Sequence, residues 1–299
     1  MDMANTGTVT GVDSHAHVFR RGLPLAGVRR YAPVYDATPE EYLNHLDAAG
    51  LSHGVLVQPS FLGTDNSYLL AALRRWPRRL RGIAVLDPGA PPARLRGLND
   101  AGVVGVRLNL IGRPDPALTL DPWPLFLTRI ADLGWQVEVQ AEARRLPGLA
   151  AGLLRAGVGV VLDHFGRPDP ALGVDDPGFR GVLDLGRSGR VWVKLSGAYR
   201  CGGAGTARAA LPQLKRYFGV ERLLWGSDWP HTQFEGETCH AEARARLDDW
   251  LPDAAERAAV LVDTPRALFR FGEDPAARHP ANAPRPDCGA GRRRDRCLR

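Results

Sequence analysis

Residues 11–17 read GVDSHAH, a short apolar start followed by two histidines at alternate positions. Successive side chains of a β-strand point to opposite faces, so His15 and His17 would lie on one face and could converge on one atom. An isolated H-x-H pair is, in roughly half of cases, only two exposed polar residues at the end of a strand. The rest of the chain must decide between these interpretations.

Seven further apolar runs follow at intervals of about thirty residues, the length of one βα unit. Most are continuous runs of Val, Ile and Leu, which is typical of parallel strands buried on both faces. The predicted strands are Gly11–His17, Gly54–Gln58, Gly82–Leu86, Val104–Leu108, Gln136–Gln140, Gly159–Asp163, Val191–Leu195 and Arg222–Gly226.

Amphipathic helices separate these runs. Thr38-Pro39-Glu40-Glu41 combines an N-cap, a proline at the first helical position and a capping-box glutamate, and Gly50 ends that helix. Asp121-Pro122 and Thr264-Pro265 open two others. Eight βα units without a linker predict an α/β fold, the (β/α)8 TIM barrel; a doubly wound open sheet is the alternative.

The predicted domain is a single barrel over residues 11–272. We expect residues 1–10 to be a flexible N-terminus. Residues 273–299 are rich in Pro, Ala and Arg without apolar periodicity, so we expect a disordered tail.

The composition and charge of the chain limit the classes of partner that it could bind. The net charge is +6, but residues 273–299 hold +3 of it. Lys194 and Lys215 are the only lysines, so a single arginine is weak evidence for a site. No apolar run approaches the roughly 20 residues needed to cross a membrane, and the four cysteines show no C-x-x-C spacing. We expect a cytoplasmic protein with no membrane or nucleic-acid partner, although the basic run Arg292–Arg294 could bind nucleic acid.

Two more predicted strands end in ionisable residues. The sixth runs into VLDHFGRP, with His164, and the eighth into LLWGSDWPH, with Asp228. The C-terminal ends of barrel strands are where catalytic groups lie. Three such placements favour an active site over isolated core or capping residues.

These segments identify a resemblance. The chain resembles the amidohydrolase superfamily, and within it the branch of the 2-pyrone-4,6-dicarboxylate lactonases. The segments that carry the resemblance are DSHAHVF, VLVQPSFLGTDNSYLLAAL, RGIAVLDP, GVRLNL, VVLDHFGRPD, VWVKLSGAYR and LLWGSDWPH, between residues 13 and 231.

The resemblance implies roles. Asp228 matches the aspartate that takes a proton from the hydrolytic water, and His15, His17 and His164 match histidines that polarise the carbonyl group. Residues that match the pocket around a carboxylated substrate are Tyr31, Arg107, Arg113, Arg167 and Arg200. Ser60, just after the second strand, is a further candidate polar group of the pocket.

The chain departs from the binuclear amidohydrolases. Its fourth strand offers Arg107 and Asn109 instead of a bridging Lys or Glu, and its fifth offers Gln140 in place of a histidine. We therefore expect no metal or one divalent ion, zinc before others, bound by His15, His17 and Asp228. A binuclear site is not expected.

The predicted function is hydrolysis of a small carboxylated lactone. The alternatives are a metal-dependent decarboxylase of the same superfamily, a non-catalytic binding protein, and nucleic-acid binding through the tail. Lys194 could bind an anion or form a structural ion pair. His53 is expected at the surface.

Overall fold

The computed structural model describes residues 8–273, and within them the predicted TIM barrel is confirmed. Eight parallel strands follow one another around the sheet in sequence order. The barrel closes where the ends of the first and last strands meet, through a parallel bridge between Ala16 and Trp229. The strands are β1 Val12–Ala16, β2 His53–Val57, β3 Leu80–Ala84, β4 Val103–Asn109, β5 Gln136–Gln140, β6 Gly159–Leu162, β7 Val191–Leu195 and β8 Leu223–Trp225.

All eight predicted strands are present, with ends that differ by up to two residues. Residues 1–7, and the predicted tail from residue 274 onward, lie outside the described residues. No helix of residues 8–273 is long and apolar enough to cross a membrane.

Helices cover the outside of the barrel, and the predicted capping box of the first helix is present. At the first helix, the Thr38 hydroxyl accepts a hydrogen bond from the Glu41 amide, and the Glu41 carboxylate accepts one from the Thr38 amide. The α-helices are α1 Pro39–Ala48, α2 Ser67–Arg75, α3 Pro92–Asp100, α4 Trp123–Asp132, α5 Leu146–Arg155, α6 Pro177–Asp184, α7 Ala204–Phe218, α8 His240–Trp250, α9 Ala254–Ala258 and α10 Thr264–Leu268.

The interior of the barrel has two different ends. A separate apolar cluster extends into the interior from the end at which the strands begin, and it consists of Val9, Val12, Val55, Val57, Ile83, Val104, Val161, Leu224, Phe269 and Phe271. The expectation that His53 is a surface residue is wrong. Its side chain begins β2, is buried, and packs against the Phe271 ring at 4.7 Å between centroids.

The strands end at the polar end of the barrel. Two long loops meet above it, the loop over residues 17–38 after β1 and the loop over residues 226–239 after β8. His17 and Asp228, which follow these two strands, are buried at this end. This is where the candidate site lies.

Candidate active site

The H-x-H pair lies at the end of β1 with both rings buried. The ring centroids of His15 and His17 are 4.9 Å apart in an edge-to-face arrangement. Nδ1 of His17 lies 2.7 Å from the Val57 carbonyl oxygen, which can only accept, so Nδ1 carries the proton. Nε2 of neutral His17 is therefore a free lone pair.

Asp228 faces this pair from the loop after β8. Its Oδ1 lies 3.7 Å from Nε2 of His15 and 3.7 Å from Nε2 of His17. Its Oδ2 accepts hydrogen bonds from the Tyr199 hydroxyl at 2.7 Å and from Nε of Arg200 at 2.6 Å. One carboxylate oxygen is thus held and the other remains available.

His164 completes the predicted group of four. Its ring centroid lies 5.0 Å from that of His15, and its Nδ1 is 2.9 Å from the Ser196 hydroxyl. His164 and Asp228 both have positive φ, 52° and 61°, which non-glycine residues adopt rarely and mainly where function requires it. The structure brings the four predicted residues together, while their chemical roles stay a prediction.

Burial sets the charge states. It lowers the pKa of His15 to about 3, with Lys194 adding to the effect. It also lowers the pKa of His17 to about 3, helped by Arg107. Burial alone would raise the pKa of Asp228, but the adjacent Arg200 guanidinium holds it well below its usual range. At neutral pH the group therefore consists of a carboxylate beside neutral imidazoles.

A buried charge network lies beneath His15. Nζ of Lys194 is 2.7 Å from Oε2 of Glu138 and 3.1 Å from Nδ1 of His15, and both charged side chains are fully buried. Oδ1 of Asp163 lies 3.3 Å from the same His15 nitrogen, while its Oδ2 accepts from Arg107 at 3.1 Å. Of the two interpretations of Lys194, the structure therefore has the buried ion pair.

The sequence analysis gave no role to Asp163 or Glu138. Glu138 belongs to an alternating polar pattern along β5, Gln136-Val137-Glu138-Val139-Gln140, which was the available signal. Burial raises the pKa of Glu138 to about 7, with Lys194 opposing the shift. The network supports His15 from inside the barrel.

Asp13, also given no role above, joins the two strand ends that carry the site. Its carboxylate accepts from the Ser227 amide at 2.9 Å, the Ser227 hydroxyl at 2.6 Å and the His15 amide at 3.1 Å. In return, the Asp228 amide donates to the His15 carbonyl at 2.8 Å. These bonds fix the imidazole of β1 relative to the aspartate after β8.

A cleft opens above these residues. The predicted Tyr31, Ser60, Arg107 and Arg200 line it, together with His17, His164 and Asp228; Arg113 and Arg167 are not among its lining residues. Arg113 instead donates to the Val28 carbonyl at 2.9 Å. The Tyr31 hydroxyl hydrogen-bonds to Glu235, so the residue tethers the two loops over the cleft.

The cleft also contains polar residues that the sequence analysis did not select. These are Arg30, Asn109, Gln140, Thr232 and Gln233. Arg30 adjoins the selected Tyr31, but the abundance of arginine gave no reason to choose it. Thr232 and Gln233 closely follow Asp228, a position that could have indicated them.

The donor set has two groupings that could hold a metal ion, His15, His17 and Asp228, or His15, Asp163 and His164. Within the described chain, His15 Nε2 and Asp228 Oδ1 are buried atoms with no hydrogen-bond partner. Buried polar atoms are normally paired. The first grouping therefore fits a single divalent ion, and nitrogen and carboxylate ligands suit zinc.

An eight-stranded barrel that gathers two histidines from β1, one after β6 and an aspartate after β8 defines a barrel enzyme with hydrolase-type machinery. The profile of the amidohydrolase family matches residues 12–271, and the chain belongs to this family.

Three relatives place the chain within it. A solved structure from Pseudomonas putida, titled a candidate 2-pyrone-4,6-dicarboxylic acid hydrolase, is 49% identical, covers 89% of this chain and 100% of its own, and has a TM-score of 0.84. One from Acinetobacter baumannii, similarly titled and with citric acid bound, is 40% identical with a TM-score of 0.84, covering 87% and 99%. The 2-pyrone-4,6-dicarboxylate hydrolase of Comamonas testosteroni is 34% identical over 86% of this chain and 89% of its own. The predicted resemblance to the lactonase branch is confirmed.

Proposed function

We propose that this chain hydrolyses the ring ester of a small carboxylated lactone. The observation that carries the proposal is the buried, unpartnered Oδ1 of Asp228, 3.7 Å from an Nε2 atom of each of His15 and His17, at the base of an arginine-rich cleft. The relatives support the substrate class, because a 2-pyrone is a cyclic ester and theirs carries two carboxylates.

Asp228 is suited to accept a proton from water. Tyr199 and Arg200 donate hydrogen bonds to its other oxygen, so Oδ1 is left facing the two histidines of β1. In the proposed reaction, water gives its proton to Oδ1 as its oxygen bonds to the carbonyl carbon. The ring C–O bond then breaks, and the departing ring oxygen takes the proton that Asp228 had accepted. The new carboxylic acid releases its remaining proton to solvent, so the products are a carboxylate and a hydroxyl group.

The histidines would not act alike. Neutral His17 presents a lone pair at Nε2, so it can accept a hydrogen bond from the attacking water but cannot donate one to the carbonyl oxygen. His164 pairs with a hydroxyl group, which either donates or accepts, so its Nε2 can carry a proton. We therefore assign His164 to the negative charge that develops on the carbonyl oxygen.

His15, His17 and Asp228 would hold a divalent ion. When bound, such an ion would polarise the carbonyl group and lower the pKa of the attacking water. The count of at most one ion stays a prediction, as do cytoplasmic localisation and the absence of nucleic-acid partners.

The test is an assay of the purified protein against carboxylated and uncharged lactones, with metal analysis of the same sample. Ring opening detected by NMR without release of carbon dioxide is the expected result. Release of carbon dioxide from an aromatic or muconate acid, without lactone hydrolysis, would favour the decarboxylase. No turnover of either class would contradict the proposal.

A further inference from the structure

The arginines of the cleft differ in whether the protein already neutralises them. Arg200 donates through Nε to Asp228 at 2.6 Å and through Nη2 to the Thr232 carbonyl at 3.1 Å. Arg107 donates through Nη2 to Gln140 at 2.7 Å and to Asp163 at 3.1 Å. Both side chains are at least 90% buried, so each already has a carboxylate as its close partner.

Arg30 is different. It lies on the long loop after β1, is exposed at the rim of the cleft, and has a single long hydrogen bond from Nη2 to Oδ1 of Asn109 at 3.4 Å. Among residues 8–273, no carboxylate lies within ion-pairing distance of its guanidinium group. Glu142, which attracts it from further away, is paired with Arg145 at 2.7 Å.

The surroundings of Arg30 are cationic. Partial burial lowers the pKa of Arg30, and the nearby guanidinium groups of Arg107, Arg200 and Arg113 add to this effect. An anion bound from outside the protein would neutralise part of this positive charge. A planar guanidinium matches a carboxylate through two parallel hydrogen bonds.

We propose that Arg30 is a further determinant of substrate selection and binds the outermost carboxylate of the substrate at the rim of the cleft. This inference rests on the proposed function, since it names a determinant of specificity for that reaction. A substrate whose ester carbonyl lies at Asp228 would direct a distal carboxylate to the rim, where Arg30 provides the charge. Arg107 and Arg200 line the same cleft and also form ion pairs with Asp163 and Asp228.

The test compares Arg30→Gln with Arg29→Gln. Arg29 is the neighbouring exposed arginine, its Nη1 donates to the Ala26 carbonyl at 2.9 Å, and it does not line the cleft. Citrate serves as an unreactive polycarboxylate, and its dissociation constant is measured by calorimetry at low ionic strength. We expect Arg30→Gln to raise the dissociation constant of citrate by about 10- to 100-fold, because a hydrogen bond between charged groups usually contributes that much to affinity.

Arg29→Gln should leave the affinity near that of the wild type, and Arg30→Lys should restore part of it because the charge returns without the planar fork. For turnover, Arg30→Gln should reduce the preference in kcat/KM for a dicarboxylate lactone over a monocarboxylate one. Equal citrate affinity in wild type and Arg30→Gln, an equal loss in both Gln variants, or no citrate binding by the wild type would each overturn the inference.

Citrate binding requires no turnover, so the two proposals fail separately. If lactones are not hydrolysed but citrate affinity falls only in Arg30→Gln, the anion site stands and the proposed function fails. If lactones are hydrolysed and citrate affinity is unchanged in Arg30→Gln, the assignment of Arg30 alone fails.

Discussion

The two ends of the barrel interior are built by the same eight strands with opposite chemistry. From the end at which the strands begin, an apolar cluster that includes the fully buried Val12, Ile83 and Leu224 extends into the interior, and Phe269 and Phe271 belong to it. Where the strands end, the interior is filled by histidines, carboxylates, a lysine and arginines, several with buried atoms that lack a hydrogen-bond partner.

The two ends contribute to different properties of the protein, the apolar end to its stability and the polar end to its function. Close packing of the apolar end contributes to folding through burial of carbon atoms. At the polar end, unpaired buried atoms and positive φ at His164 and Asp228 cost free energy, and such costs persist where catalysis uses them. The comparison predicts that substitutions at the two ends change different measured quantities.

The largest effect is expected at the polar end, from Asp228→Asn. An amide cannot take the proton from water, so turnover should fall by about two to four orders of magnitude. The fold should survive, because Asn tolerates positive φ and its oxygen can still accept from Arg200. Steady-state kinetics and circular dichroism measure the two quantities.

Asp249→Asn is the matched control, an exposed aspartate on α8. It should retain full turnover. If Asp228→Asn were to keep near-normal turnover, the role of Asp228 as general base would be lost, whatever happened to stability.

At the apolar end, Leu224→Ala should lower the free energy of unfolding by about 2–5 kcal/mol, because it leaves a cavity among fully buried side chains. Turnover per folded molecule should stay close to that of the wild type. Denaturant titration measures the first quantity, and Leu120→Ala, whose side chain is 64% exposed, is the control with little expected loss. A strong loss of turnover at unchanged stability would show that the two ends are not separable.

The two ends also differed in how far the sequence could predict them. The strands were predictable because most of their apolar runs are continuous and all are regularly spaced, and His15, His17, His164 and Asp228 because they lie at the ends of these strands or just after them. His53 was misplaced because a polar residue at the start of a strand resembles a loop residue, and the Phe271 ring that packs against it lies over two hundred residues away in the sequence.

Partnerships across the barrel could not be predicted. Nothing local indicates that Lys194 pairs with Glu138, since the two belong to strands separated by β6. The distinction between Arg30 and Arg107 likewise depends on which carboxylates the fold brings near, and composition made all arginines look alike.

Gly197→Ala should have an intermediate effect at the polar end. Its φ is 51°, and an added Cβ would lie 2.8 Å from Oδ2 of Asp228 and 2.9 Å from Nδ1 of His164. Such contacts would displace both side chains, so turnover should fall by about 10- to 100-fold, as expected for misplacement by a fraction of an ångström to an ångström.

Gly50→Ala separates this displacement from backbone strain. Gly50 has a φ of 69°, but nothing lies within 4 Å of an added Cβ. It should lose some stability, roughly 1–2 kcal/mol, and no turnover. Equal turnover in Gly197→Ala and wild type would mean that the close approach does not position the site.

The smallest effect concerns pH and compares histidines at the two ends. Burial, with Arg81 and Arg79, lowers the pKa of His53 from 6.5 to about 4. Between these values the unfolded chain binds more protons than the folded one, so this contribution to stability is present above pH 6.5 and is lost as the pH falls towards 4. His53→Asn should therefore show a shallower decline of the unfolding free energy from pH 6.5 to 4, and unchanged turnover at pH 7.

His17→Asn should lose turnover at pH 7, because Nε2 of His17 faces Asp228. Parallel pH profiles for wild type and His53→Asn would show that His53 titrates alike in both states, and loss of turnover in His53→Asn would join the apolar end to the site.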